Sequence, residues 1–222
     1  MILLLAAEGE EAAALRRRLK DKRRVRGPFP CHRGSFAGKA AVVVETHPGK
    51  TPAAAATAWA ITAFRPRAAF FAGVAGALAP GLQQGDLLVG LEAVQWDVDL
   101  TLFGRKPGEL ATGERFVPAD PGLSKLLART TGARLGRIAS GDRFVADRKL
   151  ADWIRSTFEA DAVEMEGAAA LWTARRMGVP MGLLRVVSDL ALETAEVAFA
   201  VFLLEGSERM ANALEQALAR LK

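Results

Sequence analysis

The chain has 222 residues, 50% hydrophobic and 25% charged, which is enough for one sizeable core and too apolar for a disordered segment. Its net charge of +5 comes mostly from arginine, and eight of the eleven residues from 16 to 26 are Arg or Lys. With no aromatic residue interleaved, that run is expected to be the solvated end of a helix rather than a nucleic-acid contact.

A single Cys31 excludes an intrachain disulfide. Residues 1–7 are a short apolar run with no basic residue before it, expected to be neither a signal peptide nor a membrane span. One cytoplasmic domain over 1–222, with no membrane partner, is the expectation. The same apolar run reads as a strand buried on both faces. A helix packed by one face follows over 10–20, with Glu8, Glu10 and Glu11 at its acidic start. Glu11 then lies just past the end of the first strand, where open α/β sheets place ligand-contacting groups.

Gly27-Pro28 opens a turn that continues to His32. Short strands at 35–37 and 40–45 flank Gly38-Lys39 as a hairpin, and after Pro48-Gly49 an alanine-rich helix spans 51–64. A buried strand at 68–72 runs into Gly73-Val74-Ala75-Gly76, where the glycines let backbone amides reach a phosphate, a ribose or a second helix. An apolar run at 87–96 precedes a polar insert at 97–118, long enough for an active-site loop or an intersubunit arm. A helix at 121–131, a strand at 135–140, the loop Ser140-Gly141-Asp142-Arg143-Phe144-Val145 and a helix at 147–158 follow.

The next stretch concentrates charge. An extended segment at 158–163 leads through Val163-Glu164-Met165-Glu166-Gly167 into a helix at 167–177, stopped by Gly178 and Pro180. Residues two apart in a strand share a face, which would aim Glu164 and Glu166 into one cleft beside Met165. Acceptor-only side chains there suit the hydroxyls of a ribose. The alternative is that both glutamates simply complement the dipole of the helix they precede. The strand at 181–188 ends in Ser188-Asp189, and an ionisable group at the end of a buried strand is costly unless paired or used. A helix with a sustained apolar stripe covers 194–221.

Alternating strands and helices give an α/β fold, a three-layer α/β/α domain whose central sheet is mixed and partly barrel-like. There is no Walker A sequence, dinucleotide fingerprint or Gly-x-Ser-x-Gly elbow. His32 and His47 are the only histidines and stand near no other ligand candidate, so no metal site is expected.

Four strand-end features converge on one expected pocket: Glu11, Phe144-Val145, Glu164-Met165-Glu166, and Arg185 with Ser188-Asp189. In this order, with Pro48-Gly49-Lys50, Gly73 to Gly76 and the Trp96 to Gly104 stretch, the chain resembles the nucleoside phosphorylase/nucleosidase superfamily. Within it the chain is most similar to 5'-methylthioadenosine/S-adenosylhomocysteine nucleosidases. The resemblance implies hydrolysis of an N-glycosidic bond without metal or organic cofactor. It makes Asp189 the general acid toward N7 of adenine and Glu11 the activator of the attacking water, which Arg185 helps to position. Glu166 would hold the ribose hydroxyls with Glu164 in support, Met165 would pack on the sugar, Phe144 would stack on the base, and Val145 would bind the purine edge through its backbone. The partners it implies are a small-molecule nucleoside and a second copy of the chain, as a homodimer whose neighbour closes part of the 5' pocket.

Three departures from the family pattern stand out. Val74 replaces the usual Ser or Thr hydroxyl, which argues against phosphorolysis. Glu8 stands where an apolar sulfur-containing residue is usual. The 190–198 segment is short and lacks its expected aromatic residue, with Phe199 aligning instead. The other readings are a futalosine hydrolase, a phosphorylase, a catalytically silent nucleoside binder and, through the basic run, a nucleic-acid-binding module.

Overall fold

The computed structural model describes residues 1–221. Strand β1 (Ile2–Ala6) is buried at every position, as its unbroken apolar sequence requires. It lies between two parallel neighbours, β4 (Lys39–Glu45) and β5 (Ala68–Ala77). Beyond β4 the sheet continues antiparallel through β3 (Cys31–Phe36) to an edge strand, β2 (Lys20–Val25).

On its other side β5 enters a closed ring. It pairs parallel with β10 (Met181–Asp189), β10 pairs antiparallel with β6 (Leu87–Gln95), and β6 pairs parallel with β8 (Arg134–Ser140). Then β8 pairs with β9 (Ala162–Glu164), which returns to β5 at Gly76 and Ala77. The mixed sheet is therefore part open and part five-stranded barrel, with the short β7 (Phe116–Pro118) paired to β6.

Two apolar layers cover this sheet. On one face α1 (Gly9–Arg18), α3 (Pro121–Thr131) and α6 (Ala195–Ala219) enclose a core with Leu15, Leu127 and Leu214. On the other, α2 (Lys50–Phe64) and α5 (Gly167–Arg176) pack Ala56, Ala60 and Ala170 against the strands. Helix α4 (Arg148–Phe158) closes a smaller cluster around Phe158 and Trp96. No helix among the described residues is long and apolar enough to cross a membrane.

The structure corrects four sequence expectations. The basic run is not one helix end: α1 stops at Arg18, and residues 20–25 form β2. Leu19 is buried in extended conformation, which reverses the chain, and Gly34 on β3 leaves room for the Lys20 carbonyl, since a Cβ there would lie 2.5 Å from it. Charged side chains along an exposed edge also discourage pairing with other chains. The helical half of the run is paired instead: Arg17 and Arg18 bridge to Glu208, and Arg18 to Glu215, joining α1 to α6.

The other three corrections concern strand limits. β3 begins at Cys31 rather than 35, because Cys31 is buried against Val44. β5 continues to Ala77, so Gly73 to Gly76 lie inside a strand rather than in a loop after it. The extended segment before Glu164 shrinks to three residues, because Glu159 caps α4 in the left-handed region.

The barrel closes tightly at Gly90, where a Cβ would meet Ile138 Cδ1 at 2.8 Å and Leu183 Cβ at 3.0 Å. Gly90→Val overpacks that point and is expected to lower unfolding stability by about 1–3 kcal/mol in urea titration. An unchanged midpoint would mean that the barrel interior gives way.

Candidate active site

A cleft with about 560 Å³ of space free of protein atoms, its open mouth included, lies over the strand ends at β5, β1, β9 and β10. Four buried carboxyl groups line it: Glu11, Glu164, Glu166 and Asp189.

Glu11 is the third residue of α1. Its Oε2 accepts from the backbone N–H groups of Ala7 and Glu8, each at 3.0 Å, and its Oε1 accepts from Val74 N–H at 2.8 Å. The amide that the glycine-rich stretch supplies thus goes to a protein carboxyl. Gly73 makes the approach possible, since a Cβ there would lie 2.7 Å from Glu11 Oε1. Burial, countered in part by these backbone donors and by the Arg185 charge, pushes the Glu11 carboxyl up to about 7.

Asp189 ends β10 after a register shift between Val187 and Asp189, which leaves Asp189 opposite Gly76. Such irregularities re-aim side chains at strand ends. Oδ2 accepts from Ser188 Oγ at 2.7 Å and Oδ1 from Ala191 N–H at 2.8 Å. Burial raises the Asp189 pKa, and the two donors oppose it.

Glu164 and Glu166 part company. Glu164 turns toward the protein: Oε2 pairs with Arg185 Nη2 at 2.5 Å and accepts from Gly167 N–H at 2.8 Å, while Ser140 Oγ donates to Oε1. Arg185 donates from Nη1 to the carbonyls of Phe71 and Leu184, and its buried Nε has no partner among the described residues. Its guanidinium is 1% exposed and does not line the cleft, whereas Glu164 forms part of the wall. Glu166 turns toward the cleft, with Oε1 accepting from Gly49 N–H at 2.7 Å. Burial and the Glu164 charge raise its pKa.

Met165, Val145 and Ser188 also line the cleft, with Phe144 at the mouth, its ring edge-on to Phe199 at 5.6 Å. Every site residue expected from sequence except Arg185 therefore lines one cleft.

Sequence reasoning missed Ser140, whose hydroxyl donates to Glu164 and accepts from Ala168 N–H at 2.8 Å. A serine at the end of a buried strand was the available signal. It also missed the knot formed by Lys50 Nζ with Asp97 at 2.5 Å, Lys50 N–H with Asp142 at 2.7 Å and Asp142 N–H with Asp97 at 2.9 Å. That knot anchors the start of the 97–118 segment to the loop carrying Phe144. Among the described residues, no group of His, Cys, Asp and Glu is arranged to hold a metal ion.

The phosphorylase superfamily model matches residues 1–220. The chain belongs to that family. It is 34% identical over 195 residues to an aminodeoxyfutalosine nucleosidase of Helicobacter pylori, covering 86% of this chain and 84% of the relative. It is also 34% identical over 224 residues to a 5'-methylthioadenosine/S-adenosylhomocysteine nucleosidase of Staphylococcus haemolyticus, covering 97% of each. The solved Helicobacter pylori structure of a mutant nucleosidase holding 5'-methylthioadenosine in its active site superposes with a TM-score of 0.96 at 32% identity. That match covers 99% of this chain and 98% of the other. Within the superfamily this chain is thus a purine nucleosidase, a hydrolase of N-glycosidic bonds.

Two stability predictions follow from these contacts. Glu164→Ala strands the Arg185 cation in the core and is expected to cost about 3–5 kcal/mol in urea titration. A loss under about 1 kcal/mol would show that the pair is not needed to hold the site. Glu166 gives a pH-dependent effect. A carboxyl with a raised folded-state pKa takes up a proton on folding, so stability falls as pH rises above its ordinary value of 4.5. Glu166→Gln, neutral throughout, is therefore expected to gain in Tm over the parent between about pH 5 and about pH 8. A constant Tm difference across that range would contradict the buried, repelled carboxyl.

Proposed function

We propose that this nucleosidase hydrolyses 5'-methylthioadenosine and S-adenosylhomocysteine, releasing adenine and the corresponding thio-ribose. The observation that carries the reading is the presence of Glu11 and Asp189, both buried and both with raised pKa, in one cleft with Glu166.

The chemistry needs two proton movements. Water attacks the anomeric carbon as the C–N bond breaks, and its proton passes to the Glu11 carboxylate. The bonding electrons go to the purine, which takes the Asp189 proton at N7. An oxocarbenium-like sugar forms between them, and the Glu11 carboxylate favours its positive charge as the bond breaks. Glu166 also accepts from the ribose hydroxyls. Met165 packs on the sugar, Phe144 stacks on the base, and Val145 and Ser188 border it. Arg185 acts behind the site by fixing Glu164, and through it the turn that presents Glu166. The homodimer remains part of this reading, supported by Leu102 and Phe103, which stand 97% and 82% exposed on the 97–118 segment.

A futalosine-type nucleoside is the second reading. It is favoured by the relatives named aminodeoxyfutalosine nucleosidase and by the cleft's open mouth near Phe199. Incubation in phosphate-free buffer with each nucleoside separates the two. Adenine from the thio-nucleosides supports the first reading, and base released only from futalosine (hypoxanthine) or from its amino analogue (adenine) replaces it with the second.

Asp189→Asn removes the acid and is expected to slow base release by about 10²–10⁴-fold while a nucleoside analogue still binds. In the parent, kcat/KM is expected to fall as pH drops below about 7, because Glu11 must be ionised to take the proton. Near-normal release by the Asn variant would sink the assignment of Asp189.

A further inference from the structure

Glu8 is the N-cap of α1, and its side chain lines the cleft that Glu11 and Asp189 share. The hydrolytic reaction gives it no task. Its place follows from the strand order. β10, β5, β1 and β4 lie side by side, with Asp189 at the end of β10 and Glu11 over Gly73 and Val74 of β5. Glu8 follows β1, and Pro48, which also lines the cleft, follows β4. With neighbouring strands about 4.8 Å apart, Glu8 and Pro48 stand two to three strands from the Asp189 end. A nucleoside whose base meets Asp189 and whose anomeric carbon meets Glu11 extends its 5' carbon toward Glu8. This orientation rests on the nucleosidase reading of the site.

The charges around Glu8 are unbalanced. Burial, then the neighbouring Glu10 and Glu45, push its pKa above the ordinary carboxylate value, and His47 opposes them. Glu45 gives one oxygen to Arg16 at 2.8 Å. A carboxylate has about four acceptor sites, so capping the helix leaves capacity free for a ligand. The other charged side chain to weigh is Arg143, an exposed cation that also lines the cleft, in the loop after β8.

We infer that Glu8 sets the specificity of this enzyme at the 5' position, favouring nucleosides whose 5' substituent carries a cationic, ammonium-type group over neutral ones and disfavouring anionic ones. A thioether chain ending in an amine supplies the missing counter-charge. A chain ending in a carboxylate meets like charge in a partly desolvated cleft, which costs both partners.

The test uses three 5'-thioadenosines: methylthio, aminopropylthio and carboxyethylthio. Adenine release by the whole enzyme is followed at low salt. The expected order of kcat/KM is cationic, then neutral, then anionic, with about tenfold between the ends. Glu8→Gln keeps the size of the side chain and is expected to compress the spread to about twofold. Glu10→Gln removes the same charge outside the cleft and leaves the order intact. The reverse order, anionic first, would assign the selection to Arg143 and overturn the inference, as would a spread unchanged in Glu8→Gln. Absence of adenine from all three compounds would overturn the thio-nucleoside reading of the site and the inference with it. Cationic-first release in the parent, with the spread compressed in Glu8→Gln and kept in Glu10→Gln, establishes Glu8.

Discussion

The Arg185–Glu164 ion pair is the contact on which the site depends. It sits inside the barrel wall, with Arg185 on β10 and Glu164 at the end of β9, and its hydrogen bonds reach β5 through Phe71, β8 through Ser140 and α5 through Gly167. A charged pair this deep is expensive to desolvate, and it survives because nearly every polar atom in it has a partner. By holding Glu164 inward it forces the next two residues to turn outward. That is how a three-residue strand and a helix start present Met165 and Glu166 to the cleft.

The remaining carboxyls show the opposite bias. Glu11, Glu166 and Asp189 are buried with raised pKa values and no ion pair of their own, so each holds a proton more readily than a free side chain. Folding loses stability to keep them so, and the apolar layers on both faces of the sheet offset that loss. The arrangement leaves groups ready to give or take protons near neutral pH. Space for them comes from glycines: Gly73 admits Glu11, and Gly76, whose Cβ would lie 2.9 Å from Asp189 Oδ1, admits Asp189.

Elements with a sustained apolar period are legible in the sequence. β1, α2, α3, α4, α5, β10 and α6 all fall within a few residues of where hydrophobic spacing, prolines and glycines place them. β2 is not legible, because Lys20 to Val25 carries almost no apolar residue and becomes a strand only by pairing with β3. The full length of β5 is hidden for a related reason. Glycine reads locally as a break, while here it lets two carboxyl groups lie against a continuous strand.

The sequence by itself determined the α/β class, the order of the elements and, through short motifs, the carboxyl groups and several of the apolar side chains that line the cleft. These depend on local periodicity and on residue types that a single stretch of chain displays. Tertiary structure alone decided the closure of the barrel, the separate fates of Glu164 and Glu166, and the withdrawal of Arg185 behind the wall. It also brought Glu8 into the same cleft as Glu11 and Asp189. The physical reason is that each of these turns on which groups from distant parts of the chain come within hydrogen-bond distance. Glu164 and Glu166 are equivalent in sequence, and only Arg185 on one side and Gly49 on the other make them different.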